Sequence, residues 1–169
     1  MSEVYKYSDT EELPENFGFC KAVNEGIRAS RSPYVLLLNN DIEVTENFIE
    51  EMLSAIKRHP KAFSCAARMI QFHDRDRLDD AGNYYCALGW AYARGKGKNI
   101  HTYEKEEKIF ASCAGAAIYR KKIFDELGYF DEEHFAYLED MDVGYRARIY
   151  GYETVSYTHL RAHETLRHL

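Results

Sequence analysis

The sequence predicts an α/β fold in which a central, mostly parallel sheet is flanked by helices. Three observations carry that expectation. The run Tyr34-Val35-Leu36-Leu37-Leu38 is apolar without alternation, the pattern of a strand buried on both faces. An amphipathic helix follows over 45–60, and a second apolar run covers 63–72. Strand, helix and strand over 34–72 then form a βαβ crossover, expected to be right-handed.

The bulk properties allow this and exclude several alternatives. A chain of 169 residues fits one domain and can bury a sizeable core. At 46% hydrophobic and 30% charged it is too apolar for disorder. A net charge of −6 argues against a broad nucleic-acid footprint, which needs a basic face, so no nucleic-acid partner is expected. No apolar run approaches a membrane span and no signal peptide opens the chain. Cys20, Cys65, Cys86 and Cys113 are widely spaced among apolar neighbours and read as reduced, mostly buried thiols. A cytoplasmic location is expected.

Taken in order, residues 1–14 are polar and weakly patterned. Asn16 can cap a helix whose inner face is Phe17, Cys20, Val23, Asn24 and Ile27. Ser32-Pro33 breaks the chain before the strand at 34. Thr45 is a candidate N-cap for the next helix, with Phe48, Ile49, Met52, Leu53 and Ile56 as its apolar stripe and Pro60 as its end. Over 73–107, Tyr84, Tyr85, Trp90 and Tyr92 lie among glycines, which suggests short antiparallel strands and loops over a site. Such aromatics are more often ordinary packing, since large rings dominate cores generally. Residues 109–119 read as a strand rich in small side chains, which let a ligand approach the backbone. A short helix over 120–127 ends at Gly128, read as an αL stop. A last helix runs from 138 to about 150, with Leu138, Met141, Tyr145 and Ile149 on one face.

Two acidic clusters stand out. The run at 34–38 stops at Asn39-Asn40-Asp41, and ligands of open α/β sheets bind beyond the carboxyl ends of strands. Asn and Asp are also turn residues, so this cluster alone is equally a polar turn. Glu139, Asp140 and Asp142 crowd the first turn of the last helix, where free N–H groups favour acids. Three acids exceed what a cap requires, and close carboxylates raise one another's pKa, which suits a general base. A calcium loop starting at Asp140 fails, because its sixth position is Tyr145 and its twelfth is Gly151.

With both clusters in hand, the chain resembles the family 2 glycosyltransferases of GT-A type, closest to their rhamnosyltransferase-like branch. The resemblance rests on Asn16-Phe17-Gly18-Phe19 with Asn24 and Gly26, and on the 34–41 run. It rests further on Gly115-Ala116-Ala117 with Arg120, and on Gly128-Tyr129-Phe130-Asp131-Glu132 through Leu138-Glu139-Asp140-Met141-Asp142 to Arg146-Ala147 and Gly151-Tyr152. It covers 16–155 in the family's order.

The resemblance implies a Rossmann-like sandwich and an inverting transfer of sugar from a nucleotide-diphosphate donor to a carbohydrate or lipid-linked glycan acceptor. A lipid-linked acceptor would place the work at the inner face of a membrane. Asn39, Asn40 and Asp41 stand at the family's D-x-D motif, with Asp41 holding Mg²⁺ or Mn²⁺ on the diphosphate. Asp140 would take the acceptor proton, Glu139 would orient the acceptor, and Gly115 and Ala116 would line the floor between donor and acceptor.

Two departures shape the expected domain organisation. The family's first strand, helix and second strand, which bind the nucleotide, have no counterpart before Asn16, so 1–155 reads as a partial, incomplete catalytic domain with its core at 16–155. Such a fragment is expected to be inactive or very weak alone. Residues 156–169 diverge and resemble translated adaptor sequence, a non-native tail in which His159 and His163 are weak metal candidates. Two other functions compete: a sugar-nucleotide nucleotidyltransferase, which needs a glycine-rich basic loop that is missing here, and a non-catalytic carbohydrate-binding module using the aromatics at 84–92.

Overall fold

The chain enters its sheet through a helix that is capped from a distance. The computed structural model describes residues 16–164, with side chains described as far as Tyr157. Helix α1 (Phe19–Ala29) precedes strand β1 (Tyr34–Leu38), the short β2 (Ile42–Val44), α2 (Phe48–Arg58) and β3 (Ala62–Gln71). Short strands β4 (Leu78–Asp80), β5 (Asn83–Tyr85), β6 (Ala91–Ala93) and β7 (Glu107–Ile109) follow. The chain closes with β8 (Ala116–Arg120), α3 (Lys121–Leu127), a 3₁₀ turn (Glu132–His134), α4 (Glu139–Ile149) and β9 (Glu153–Glu164).

Seven strands make one sheet in the order β1-β8-β3-β9-β2, with β4 on β3 and β7 on β9, while β5 and β6 pair separately. Strand β8 runs antiparallel to both β1 and β3. Strands β1 and β3 therefore share one direction, and β9 joins β3 in parallel. The α/β class is as expected, but the sheet is mixed and not mostly parallel. Strands β1 and β3 are the parallel ends of the expected strand–helix–strand unit, yet β8 lies between them. An unbroken apolar run marks a buried strand without marking its direction.

Both faces of the sheet are covered. On one, α2 packs Phe48, Met52, Ala55 and Ile56 against Cys65, Ala67, Met69, Ala116, Ile118, Val155 and Tyr157. On the other, α1, α3 and α4 bury Cys20, Ile27, Ile123, Phe124, Val143 and Ala147 against Val35, Phe63, Ala117 and Tyr119. Neighbours along β8 alternate between the two cores, as the two-residue period of a strand requires. Arg120 locks the first core. Its guanidinium donates to the carbonyls of Ile56 (2.6 Å), His59 (3.2 Å) and Ala62 (2.9 Å) and to Tyr34 Oη (3.0 Å). The Ile56 and His59 carbonyls at the end of α2 also accept from the backbone N–H groups of His59 and Ala62, so Arg120 adds a second donor to each.

Several expected boundaries move. Asn16 accepts from the Gly18 N–H (3.0 Å) and does not cap α1. Helix α2 begins at Phe48, not after Thr45, because β2 takes 42–44 and Asn47 turns the chain in the left-handed region (φ 61°). Val35 alone in β1 is fully buried, so the strand is less enclosed than its composition suggests. Residues 109–119 divide into β7, a turn and β8. Gly128 has φ 76° with ψ 151°, positive but outside the αL well. On α4 the buried residues are Glu139, Met141, Val143, Gly144 and Ala147, whereas Leu138, Tyr145 and Ile149 are exposed. Gly144 is needed there, since a Cβ would stand 2.6 Å from that of Ala111. Strand β9 runs past the boundary expected at 155, and Ser156 and Tyr157 are buried. Cys20 and Cys65 are buried and Cys86 and Cys113 half-buried, all four as free thiols. The expectation for residues 1–14 lies outside the described residues, as do the side chains of His159 and His163.

Candidate active site

The site is built around the turn at 113–116. Strand β1 pairs with β8 through Leu38 opposite Ala116, so the chain leaving β1 comes down beside that turn. The Asn39 N–H donates to the Gly115 carbonyl (2.9 Å). A Cβ at Gly115 would stand 3.2 Å from Asn39 Nδ2, so a glycine lets the amide lie against the turn. Asn39 and Asn40 are exposed and Asp41 is half-buried before β2. Ala116 departs from its expected place on the floor: its side chain is buried in the α2-facing core, because β8 turns that position inward.

Asp140 reaches the same turn from the other side. Its carboxylate accepts from the Met141 N–H (2.7 Å) and from Asn83 Nδ2 (3.1 Å). Burial, followed by the charge of Glu139, pushes its pKa up to about 6, while backbone N–H groups of Met141, Ala114 and Asp140 pull the other way. Part of the residue still reaches solvent. Glu139 is buried, and its Oε2 has no hydrogen-bond partner within the described protein. Its charge also raises the pKa of Cys20 on α1, after burial. Asp142 has a structural employment. It accepts from Arg146 Nε (3.0 Å), and that guanidinium donates to the carbonyls of Leu127, Gly128 and Tyr129 at the end of α3.

The approach to α4 is strained and pinned. Phe135, Tyr137 and Leu138 all adopt positive φ, at 54°, 73° and 66°. Such residues persist only where surroundings over-determine them. The pin is the start of α1: the Phe135 carbonyl accepts from the N–H groups of Phe19 (2.8 Å) and Cys20 (3.4 Å). A Cβ at Gly18 would fall 2.6 Å from the Phe135 ring, which fixes glycine in the Asn16-Phe17-Gly18-Phe19 stretch. Asn24 ties the same region down by donating to the Phe130 carbonyl (2.8 Å) and Glu132 (3.1 Å) and accepting from the Phe130 N–H (3.0 Å).

Two residues escaped sequence reasoning. Asn83, on β5, carries the side-chain bond to Asp140, and its backbone exchanges hydrogen bonds with Phe110 and Ala111. Asp80 is buried, accepts from the Gly82 N–H, and has its pKa raised to about 7 by burial, with the charges of Asp79 and Asp140 adding to the rise. Their signal was the acid pair Asp79-Asp80 ahead of Gly82, inside a stretch read as short strands and loops for its aromatics and glycines.

A two-faced α/β sandwich with polar groups at the carboxyl end of β1 and carboxylates at the facing helix start defines a GT-A-type fold. The model of glycosyl transferase family 2 matches residues 11–128, and the chain belongs to that family. It is similar to two curated proteins of Mycobacterium tuberculosis (strains CDC 1551 / Oshkosh and H37Rv), each an N-acetylglucosaminyl-diphospho-decaprenol L-rhamnosyltransferase. Each match is 25% identical over 197 residues and covers 99% of this chain. The chain spans 64% of the length of these relatives. Among solved structures it resembles GalNAc-T7 with UDP, GalNAc and Mn²⁺, with TM-score 0.72 and 13% identity over 92% of this chain and 32% of that one. It also resembles TarS 1-349 of S. aureus, with TM-score 0.57 and 18% identity over 90% of this chain and 42% of that one. These two likenesses establish the fold.

Proposed function

We propose that the protein transfers a glycosyl group, with inversion, from a nucleotide-diphosphate sugar to a hydroxyl of a carbohydrate or lipid-linked glycan acceptor. The observation that supports this reading best is that the tip of β1 is tied to the turn through Asn39 and Gly115, while the Asp140 carboxylate at the start of α4 is desolvated and held by Met141 and Asn83. A donor diphosphate beside Asn39, Asn40 and Asp41 and an acceptor hydroxyl beside Asp140 would then meet over that turn. The curated relatives act on a lipid-linked N-acetylglucosamine, which makes rhamnosyl transfer to such an acceptor the first pair to test.

The residues present fit a hard divalent cation of restricted kind. No cluster of three or more His, Cys, Asp or Glu poised to hold a metal occurs among the described residues. Asp41, with the amide oxygens of Asn39 and Asn40, supplies the few oxygen donors with which Mg²⁺ or Mn²⁺ is usually held together with substrate phosphates. Such a cation, when bound, would neutralise charge developing on the leaving diphosphate.

The chain's own part is proton handling and positioning. Asp140, ionised above about pH 6, accepts the proton of the acceptor hydroxyl. As that oxygen bonds to the anomeric carbon, the bond from this carbon to the diphosphate oxygen breaks and the nucleoside diphosphate leaves. The proton remains on Asp140 until solvent removes it. Glu139 acts through Asp140, because its buried charge makes Asp140 a stronger base. Asn83 donates to Oδ2 and the Met141 N–H to Oδ1, which together fix the plane of the Asp140 carboxylate.

The test is a product assay with a donor panel including deoxyhexose nucleotides, Mn²⁺ and an N-acetylglucosaminyl diphospholipid. The expected result is acceptor-dependent release of nucleoside diphosphate. Release of pyrophosphate would instead identify a nucleotidyltransferase, and binding of glycan without any release would identify a non-catalytic module.

A further inference from the structure

The stripe on α4 that ought to be buried is turned outward, and it meets rings from two other elements. Tyr145 is 50% exposed and Tyr85 44% exposed. Tyr85 stacks on Phe110 (centroids 5.4 Å, planes 29° apart) and meets Tyr145 edge-on (6.2 Å), while Phe110 lies 6.0 Å from Tyr145. Arg148 backs the cluster, with its guanidinium 5.1 Å from the Phe110 ring centroid and a bond to the Ile109 carbonyl (3.2 Å). The rings are therefore held, yet half open to solvent, at no evident gain to the core.

The cluster is continuous with the candidate base. Residues two apart on a strand share a face, and on β5 those residues are Asn83 and Tyr85. Asn83 touches Asp140, and Tyr85 touches Tyr145, so β5 lies along the first turns of α4. Tyr145 lies five residues after Asp140, about 7.5 Å further along the helix axis.

We infer that Tyr85, Phe110 and Tyr145 form a shelf for a pyranose ring of the acceptor, placing its hydroxyl, or that of the adjoining sugar, at Asp140. The inference rests on the glycosyl-transfer reading for its orientation, though not for the binding itself. The chemistry fits a sugar better than a lipid chain. A pyranose offers an apolar C–H face to a ring and hydroxyls to the polar tips that tyrosines carry, and two of the three rings are phenols. An aliphatic chain would leave both phenolic hydroxyls without use.

The experiment is saturation-transfer NMR on the protein with methyl α-L-rhamnoside and methyl N-acetylglucosaminide, without nucleotide or cation, alongside co-sedimentation with phosphatidylglycerol vesicles. Saturation transfer to one glycoside is expected to fall roughly tenfold in Tyr85→Ala/Tyr145→Ala and to survive in Trp90→Ala, which removes an exposed ring outside the cluster. Tyr85→Phe/Tyr145→Phe, which keeps the rings, guards against misfolding and should retain most of the signal. In turnover, the alanine pair should raise the acceptor KM and leave the donor KM unchanged. Equal glycoside signals in wild type and the alanine pair, or vesicle binding that depends on these rings with no glycoside signal, would overturn the shelf. Ring-dependent glycoside binding with no sugar transfer would instead remove the catalytic reading and leave the shelf standing.

Discussion

The two polar ends of this site are built in opposite ways. The tip of β1 presents Asn39 and Asn40 to solvent, with the backbone of Asn39 tied to Gly115. The start of α4 draws Glu139 fully inside and desolvates the Asp140 carboxylate, with side-chain help from Asn83 and a neighbouring carboxylate at Asp80. An exposed amide-rich tip suits a ligand that brings its own charge and counter-ion. A buried carboxylate with its pKa pushed up to about 6 suits a group that must exchange a proton near neutral pH. The contrast is one of residue type and exposure together: open amides at the tip of β1, desolvated carboxylates at the start of α4.

The sharpest way to break this contrast is to remove the base. Asp140→Asn keeps the shape but trades one accepting oxygen for an N–H donor and cannot accept a proton, so turnover should fall by about 10²–10⁴-fold, the range for one general base. An initial-rate assay at saturating donor checks it, and wild-type rates in that variant would end the assignment.

A smaller effect tests the buried neighbourhood. Burial pushes the Asp80 carboxyl up to about 7, well above the usual carboxylate range, so the native state holds this proton more tightly than the unfolded chain. Its stabilising contribution is fully present below about pH 4 and is lost as pH rises through 7, at no more than about 1.4 kcal/mol per pH unit. Asp80→Asn should flatten the loss of thermal stability between about pH 4 and 7. An unchanged slope in calorimetric scans would show that Asp80 is not protonated in the native state at neutral pH.

Much of this was legible in the sequence, for identifiable reasons. The unbroken run at 34–38, the amphipathic 48–58 segment and the acids at 139–142 carry local signals of burial, periodicity and helix start, and the structure has elements at each. Strand direction was not legible, because β8 reads the same whichever way it runs. Neither was the outward turn of Tyr145 and Ile149. Apolar spacing marks a stripe on a helix, and only the packing of Gly144 on Ala111 decides which stripe faces inward. Asn83 and Asp80 were hidden because their importance lies in a contact across 57 positions, from Asn83 to Asp140. The cap of α1 was hidden likewise, being a carbonyl from Phe135 and not a side chain beside the helix.

The division of labour between Asp41 and Asp140 is tested most directly by a calorimetric titration of nucleotide-diphosphate sugar with Mn²⁺ into Asp41→Ala and Asp140→Asn. Asp41→Ala should lose the Mn²⁺-dependent part of donor binding, about tenfold or more on the scale of one charge-stabilising contact. Asp140→Asn should bind the donor as the wild type does. Loss of donor binding in Asp140→Asn, with Asp41→Ala unaffected, would contradict the account.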